Sequence, residues 1–156
     1  MVEGAPRSTR PQAVLFACAF NSVRSPMAAG LFRQFIGRTT YVASAGVRKR
    51  ALDPFAIAVT EEVGIDIARH RPMTFEELED WEGLNFDLIV TLSSEAHHKA
   101  LELTRTIAAE VEYWPTSDPT AVEGTREQRL AAYRDVRDQL AARIKSRFGW
   151  RRGGNE

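Results

Sequence analysis

The sequence predicts an α/β fold, a three-layer arrangement in which a four-stranded parallel sheet is covered by helices on both faces. Three observations carry this. Short apolar runs alternate along the chain with segments of helical period, the order that builds parallel sheets. The first run, Ala13-Val14-Leu15-Phe16-Ala17, is apolar without interruption, as a strand buried on both faces must be. A helix signal then follows within a few residues, leaving a short loop at the carboxyl end of that strand. With 156 residues, 44% of them hydrophobic, the chain is long enough for one sizeable core and too short for two. A single domain over residues 13–148 is expected.

Each element has its own signal. Pro26 suits a first helical residue after Ser25, and Met27, Leu31, Phe32, Phe35 and Ile36 recur at helical spacing up to Gly37. Tyr41-Val42-Ala43-Ser44 is a second strand. Asp53-Pro54 opens a helix through Phe55, Ile57, Val59 and Val63 that Gly64 stops. A short acidic helix runs from Thr74 to about Trp81, with Thr74 as cap and Glu77 as its capping-box partner. Phe86 through Leu92 is a third strand, and Ser93-Ser94 cap a helix reaching about Arg105. Val111-Glu112-Tyr113-Trp114 is the fourth strand. The last helix spans about Arg126 to Phe148, where Tyr133, Val136, Leu140, Ile144 and Phe148 form one apolar stripe.

Composition narrows the function classes. Lys plus Arg and Asp plus Glu stand at 21 each, so net charge gives no reason to expect nucleic acid or a membrane as partner. The single cysteine excludes an intrachain disulfide and a cysteine-cluster metal site, and it points to a reducing compartment such as the cytoplasm. No stretch approaches the roughly 20 apolar residues of a spanning helix, and the polar start lacks the apolar core of a signal peptide. Residues 1–12 are expected to form a flexible arm and 149–156 a flexible tail. His97-His98 is expected at a helix surface, where neighbours point about 100° apart and cannot share one ion. Trp81, Trp114 and Trp150 are expected in packing roles.

The segment that carries chemistry is Cys18-Ala19-Phe20-Asn21-Ser22-Val23-Arg24-Ser25, between the first strand and the first helix. A loop entering a helix there aims several backbone N–H groups and the positive end of the helix dipole at one point, where an oxyanion fits without a metal. A cysteine at the start of the loop is forced into that field, which makes its sulfur a nucleophile near neutral pH. Arg24, at the far end, presents a planar fork that can hold two oxygens of a tetrahedral anion. Ser25 can donate to the thiolate, and Asn21 tolerates the left-handed backbone of a tight anion nest. The competing reading, an ordinary buried thiol at a strand end, leaves the Arg-Ser-Pro helix start unexplained. Displacing an alkoxide also needs a proton donor. Asp118, after the fourth strand, is the candidate, and Asp118-Pro119 is equally readable as a plain turn start.

These motifs resemble the low-molecular-weight protein tyrosine phosphatase family. The likeness rests on Cys18 with Arg24-Ser25-Pro26-Met27-Ala28, then Ser44-Ala45-Gly46, Gly64-Ile65-Asp66-Ile67 with His70, Phe86-Asp87-Leu88-Ile89-Val90, and Asp118-Pro119. It spans about residues 13–148, and the motif order tells more than any one motif, because larger tyrosine phosphatases carry the Cys-x5-Arg loop late in a longer chain. The resemblance implies a phosphate-binding loop, no cofactor and no metal, and hydrolysis of a phosphomonoester through a phosphocysteine. Cys18 would be the nucleophile, Arg24 the phosphate clamp and Asp118 the acid and then base. The backbone of Ala19, Phe20, Asn21, Ser22, Val23 and Arg24 would cradle the phosphate, with Asn21, Ser25, His70 and Ser44 holding the loop in shape. The expected partner is a phosphorylated protein or a small phosphomonoester.

Departures from the family pattern also speak. Many members have Gly at the position of Phe20 and a second, protective cysteine at that of Val23. Aromatic residues that line the pocket mouth of eukaryotic members are replaced here by Val47-Arg48-Lys49-Arg50 and Thr120-Ala121, which weakens the expectation of stacking on a phosphotyrosine ring. The basic loop suits either a substrate flanked by acidic groups or ordinary solvation. Two alternatives remain at this stage. One is arsenate reduction, which in this single-cysteine chain requires an external small-molecule thiol; the other is a catalytically silent phosphate-binding module.

Overall fold

The computed structural model describes residues 10–37 and 39–149 of the chain. The expected ends at 1–9 and 150–156, with Trp150, lie outside the described residues. Four parallel strands, β1 (Ala13–Cys18), β2 (Tyr41–Gly46), β3 (Leu88–Thr91) and β4 (Glu110–Tyr113), form one sheet in the order β2-β1-β3-β4. Five helices connect and flank them: α1 (Arg24–Ile36), α2 (Pro54–Glu61), α3 (Phe75–Glu82), α4 (Ser94–Leu103) and α5 (Arg126–Phe148).

Side-chain alternation on β1 divides the core in two. Val14, Phe16 and Cys18 face a layer built from α1, α2 and α5, while Leu15 and Ala17 face α3 and α4. An unbroken apolar strand is therefore what a doubly covered sheet requires. Phe16 meets Phe32 and Trp114 edge-on at 5.8 and 6.0 Å, and Phe32 meets Phe148 at 5.0 Å. Truncating Phe16 to alanine in this packed setting costs about 3–5 kcal/mol. The expected stripe of α5, from Tyr133 to Phe148, is buried at each of its positions.

Helix caps follow the residue chemistry. Asp53 accepts from the Phe55 N–H, Ser93 from the Ala96 N–H, and Thr74 and Thr125 form full capping boxes with Glu77 and Gln128. Several boundaries shift by one or two residues: β2 runs on to Gly46, β3 is shorter than Phe86 to Leu92, β4 ends at Tyr113 before Trp114, α2 ends at Glu61 and α4 at Leu103, and α1 begins at Arg24 rather than Pro26. Pro26 occupies the third position, still within the first turn, where a missing N–H costs nothing. Residues 10–12 are tied to the body rather than free, since Thr40 donates to the Pro11 carbonyl, and Gln12 donates to Asp87 and accepts from the Tyr41 N–H. Gly149, placed by sequence in the tail, caps α5 with φ of 73°. Trp81, expected in packing, is 73% exposed, whereas Trp114 is buried. His97 is not free at the surface: it bonds Thr91 and stacks on Tyr113 at 4.6 Å.

Candidate active site

The carboxyl end of β1 delivers Cys18 to the mouth of α1, and the residues between turn sharply enough that Asn21 sits at φ of 54°. Asparagine populates that left-handed region more readily than other side chains, so the residue type and the conformation agree. At the helix start, Val23 occupies the cap position with no side-chain cap bond. The first amides of α1 are thus left available to a ligand, and the helix dipole points the same way.

Asn21, fully buried, is the hub of the loop. Its amide nitrogen donates to Ser25 Oγ at 2.8 Å and to Ser44 Oγ at 2.9 Å. Its carbonyl oxygen accepts from His70 Nε2 at 2.9 Å and from the Met73 N–H at 2.8 Å. Ser25 Oγ accepts from Asn21, and its own hydrogen can go to the Cys18 sulfur, 3.0 Å away, with the Ala45 carbonyl as the other acceptor at 3.5 Å. Burial, and secondarily the positive charge of Arg33, pushes the His70 imidazole down to about 4, against the opposing pull of its bond to Asn21. His70 is therefore a neutral donor at pH 7.

A second shell of backbone holds the loop from outside. Val47 and Arg48 N–H groups donate to the Cys18 and Ala19 carbonyls, Asp53 N–H donates to the Ser22 carbonyl, and Ser22 Oγ donates to Ala51. Gly46 makes the contact possible. A Cβ there would stand 2.4 Å from the Arg48 oxygen, 2.7 Å from the Asn21 nitrogen and 2.8 Å from the Phe20 carbonyl carbon.

Arg24 is buried, and its Nη1 donates to the Thr116 carbonyl at 2.8 Å, which ties the helix start to the segment carrying Asp118. Asp118 Oδ1 accepts from the Thr120 N–H and hydroxyl and caps a single 3-10 turn, Pro119–Ala121. Asp118 thus starts a turn, and it also lines one small cavity, of about 20 Å³, with Cys18 and Arg24. Ser22 and Val23 line that cavity too, as do Phe20, Arg50 and Thr120 at its mouth. In the basic loop Arg48 pairs with Glu95 and Lys49 with Glu77, while Arg50 at 3.7 Å and Arg48 at 4.8 Å both lie over the Phe20 ring. The Thr116 carbonyl and the Met73 amide were not singled out from sequence, because backbone partners leave no signal in residue identity. A much larger cavity, about 1030 Å³, runs along β2 and lacks Cys18. Chemistry rather than size marks the catalytic candidate.

Comparison with known proteins follows the same lines. The model for the low molecular weight phosphotyrosine protein phosphatase family matches residues 13–148. An arsenate reductase of Bacillus subtilis (strain 168) is 35% identical over 133 residues, covering 85% of this chain and 91% of that protein. The solved low molecular weight protein tyrosine phosphatase from T. tengcongensis superposes with a TM-score of 0.69 at 26% identity, over 86% of this chain and 95% of its own. An arsenate reductase in its phosphate-binding state gives 0.68 at 31% identity, again over 86% and 95%.

Proposed function

The chain belongs to the low molecular weight phosphotyrosine protein phosphatase family, and from that premise we propose that it hydrolyses phosphate monoesters through a phosphocysteine on Cys18. The observation that carries this reading is the grouping of Cys18, Arg24 and Asp118 around one cavity at the uncapped start of α1. In the first step the Cys18 thiolate attacks phosphorus, a P–S bond forms, and the P–O bond to the leaving alkoxide breaks. Asp118, protonated, gives its proton to that oxygen. In the second step the Asp118 carboxylate takes a proton from water as it attacks phosphorus, and the P–S bond breaks to release phosphate. Arg24 and the amides of residues 19–24 hold the three non-bridging oxygens and the charge that grows on them. Ser25, held by Asn21, stabilises the sulfur as thiolate and as leaving group.

The substrate is a phosphorylated protein or a small phosphomonoester. A phosphotyrosine ring would meet Phe20 at the cavity mouth, an aromatic already covered by Arg50. A nucleophilic thiol also fits a reducing compartment, and we assign the protein to the cytoplasm.

Arsenate reduction is the second reading, favoured by the name of the Bacillus subtilis relative. Converting As(V) to As(III) takes two electrons, and two thiols supply them as one disulfide. This chain has one cysteine, so the second thiol must come from outside. The test is a panel of p-nitrophenyl phosphate, phosphotyrosine peptides and arsenate with and without glutathione, compared by kcat/KM. Turnover of phosphate esters without added thiol supports the proposal. Activity on arsenate with glutathione alone, and none on esters, overturns it.

A further inference from the structure

The large groove along β2 has the makings of a docking site separate from the catalytic cavity. It is bounded by the C-terminal half of α1, by residues 64–73 and by the end of α3. The sheet ends at β2, and its outer edge is only partly closed. Tyr41 and Val47 N–H groups donate inward to Gln12 and Cys18, so alternate residues face β1 and those between face away. Of the outward amides, that of Gly46 is taken by the Met73 carbonyl. Those of Val42 and Ser44 remain, and both residues, largely buried, line the floor of the groove.

Edge strands are normally protected by charge or proline. The opposite edge, β4, carries Glu110 and Glu112. β2, with the sequence Tyr-Val-Ala-Ser-Ala-Gly, carries neither. Around it stand Arg33, Arg69 and Arg71, none of which forms a salt bridge among the described residues; Arg71 acts at longer range on Glu77, a carboxylate that Lys49 already pairs. The two carboxylates in the same walls are already engaged, Asp66 by the Ala68 N–H and Glu82 by the Tyr41 hydroxyl. Trp81 and Tyr41, the two most exposed large hydrophobic residues among the described residues at 73% and 53%, complete the lining. Trp, Tyr and Arg together are the residue types that dominate binding energy at protein interfaces.

We propose that the β2 edge accepts an extended acidic segment of a partner protein, which adds as a further strand while its carboxylates pair with Arg33, Arg69 and Arg71. The groove, about 1030 Å³, stands at the top of the roughly 300–1,000 Å³ range of small-molecule sites and is lined by successive residues of β2, which suits an extended segment. A second copy of this chain is disfavoured as occupant, because self-pairing would set these arginines against one another. The inference does not depend on the hydrolytic reading.

Its test is fluorescence anisotropy of the full chain with a fluorescein-labelled octapeptide alternating glutamate and valine. Saturable binding that weakens with salt is expected, falling at least about tenfold in Arg33→Glu/Arg69→Glu and in the single variant Arg71→Glu. Circular dichroism checks that these surface variants stay folded. The same peptide with alternate amides N-methylated, and a lysine-valine analogue, should bind at least about tenfold more weakly. The Cys18→Ser protein should bind as the parent does, which separates this outcome from any failure of the phosphatase reading. No binding, equal binding of the lysine or N-methylated peptide, or sedimentation showing a dimer that excludes the peptide would overturn the proposal.

Discussion

Replacing Asn21 tests the hub of the catalytic loop more sharply than replacing any residue that touches substrate. In Asn21→Ala the Met73 N–H and the His70 Nε2–H both lose their acceptor, and Ser25 and Ser44 lose a donor. A part-buried donor left unsatisfied costs about 1–3 kcal/mol, so the two together cost about 2–6 kcal/mol. Alanine at φ of 54° adds about 1 kcal/mol, because its Cβ crowds the following carbonyl. Asn21→Gly removes the same bonds without the Cβ, so it should be about 1 kcal/mol more stable than Asn21→Ala. Urea denaturation of the three proteins measures both differences, and p-nitrophenyl phosphate turnover should fall at least about tenfold in each variant as Ser25 loses its orientation. A loss below about 1 kcal/mol in Asn21→Ala, or full turnover in either variant, would refute the hub.

Three further outcomes are expected. Because His70 is held near 4 in the fold against 6.5 unfolded, the unfolded chain binds more protons between those values, so stability is present above about pH 6.5 and is lost as pH falls towards 4. Full linkage would give about 3 kcal/mol, which partial exposure cuts to about 1–2 kcal/mol; the slope in urea midpoints should flatten in His70→Gln. Peroxide should carry Cys18 beyond sulfenic acid, since the chain holds no other thiol to trap it, and dithiothreitol added afterwards should restore little activity. Gly46→Ala should destabilise the protein by about 2 kcal/mol or more and lower turnover, because backbone atoms surround the added carbon and none can yield as a side chain would; unchanged melting would speak against the close approach.

Much of the fold and of the loop is legible in the sequence. The doubly buried β1, the α5 stripe and the Thr74 capping box announce themselves because each depends on side-chain identity at fixed spacing. So does the Cys18 to Ser25 loop, where a strand end, an Arg and a helix start coincide. What stayed hidden depends on partners distant in sequence. Arg24 bonding the Thr116 carbonyl across 92 residues, and Met73 feeding Asn21, run through backbone groups that every residue shares. The exposure of Trp81 was misjudged for a related reason: on α3 only Phe75 and Leu78 turn inward, and a short helix at a sheet edge leaves its last turn uncovered. His97, likewise, was read as a surface residue from its helix alone, and the β4 residue it stacks on lies outside that window.

The central claim is that Cys18 carries the phosphoryl group, and rapid-quench mass spectrometry reads it directly. With a phosphotyrosine peptide or p-nitrophenyl phosphate in excess, the parent and the slowed Asp118→Ala protein should each show one phosphoryl group on Cys18 within the first turnover, and Cys18→Ser should show neither adduct nor turnover. A Cys18→Ser protein that turns over as the parent does, or a phosphoryl group on any other residue, would contradict it.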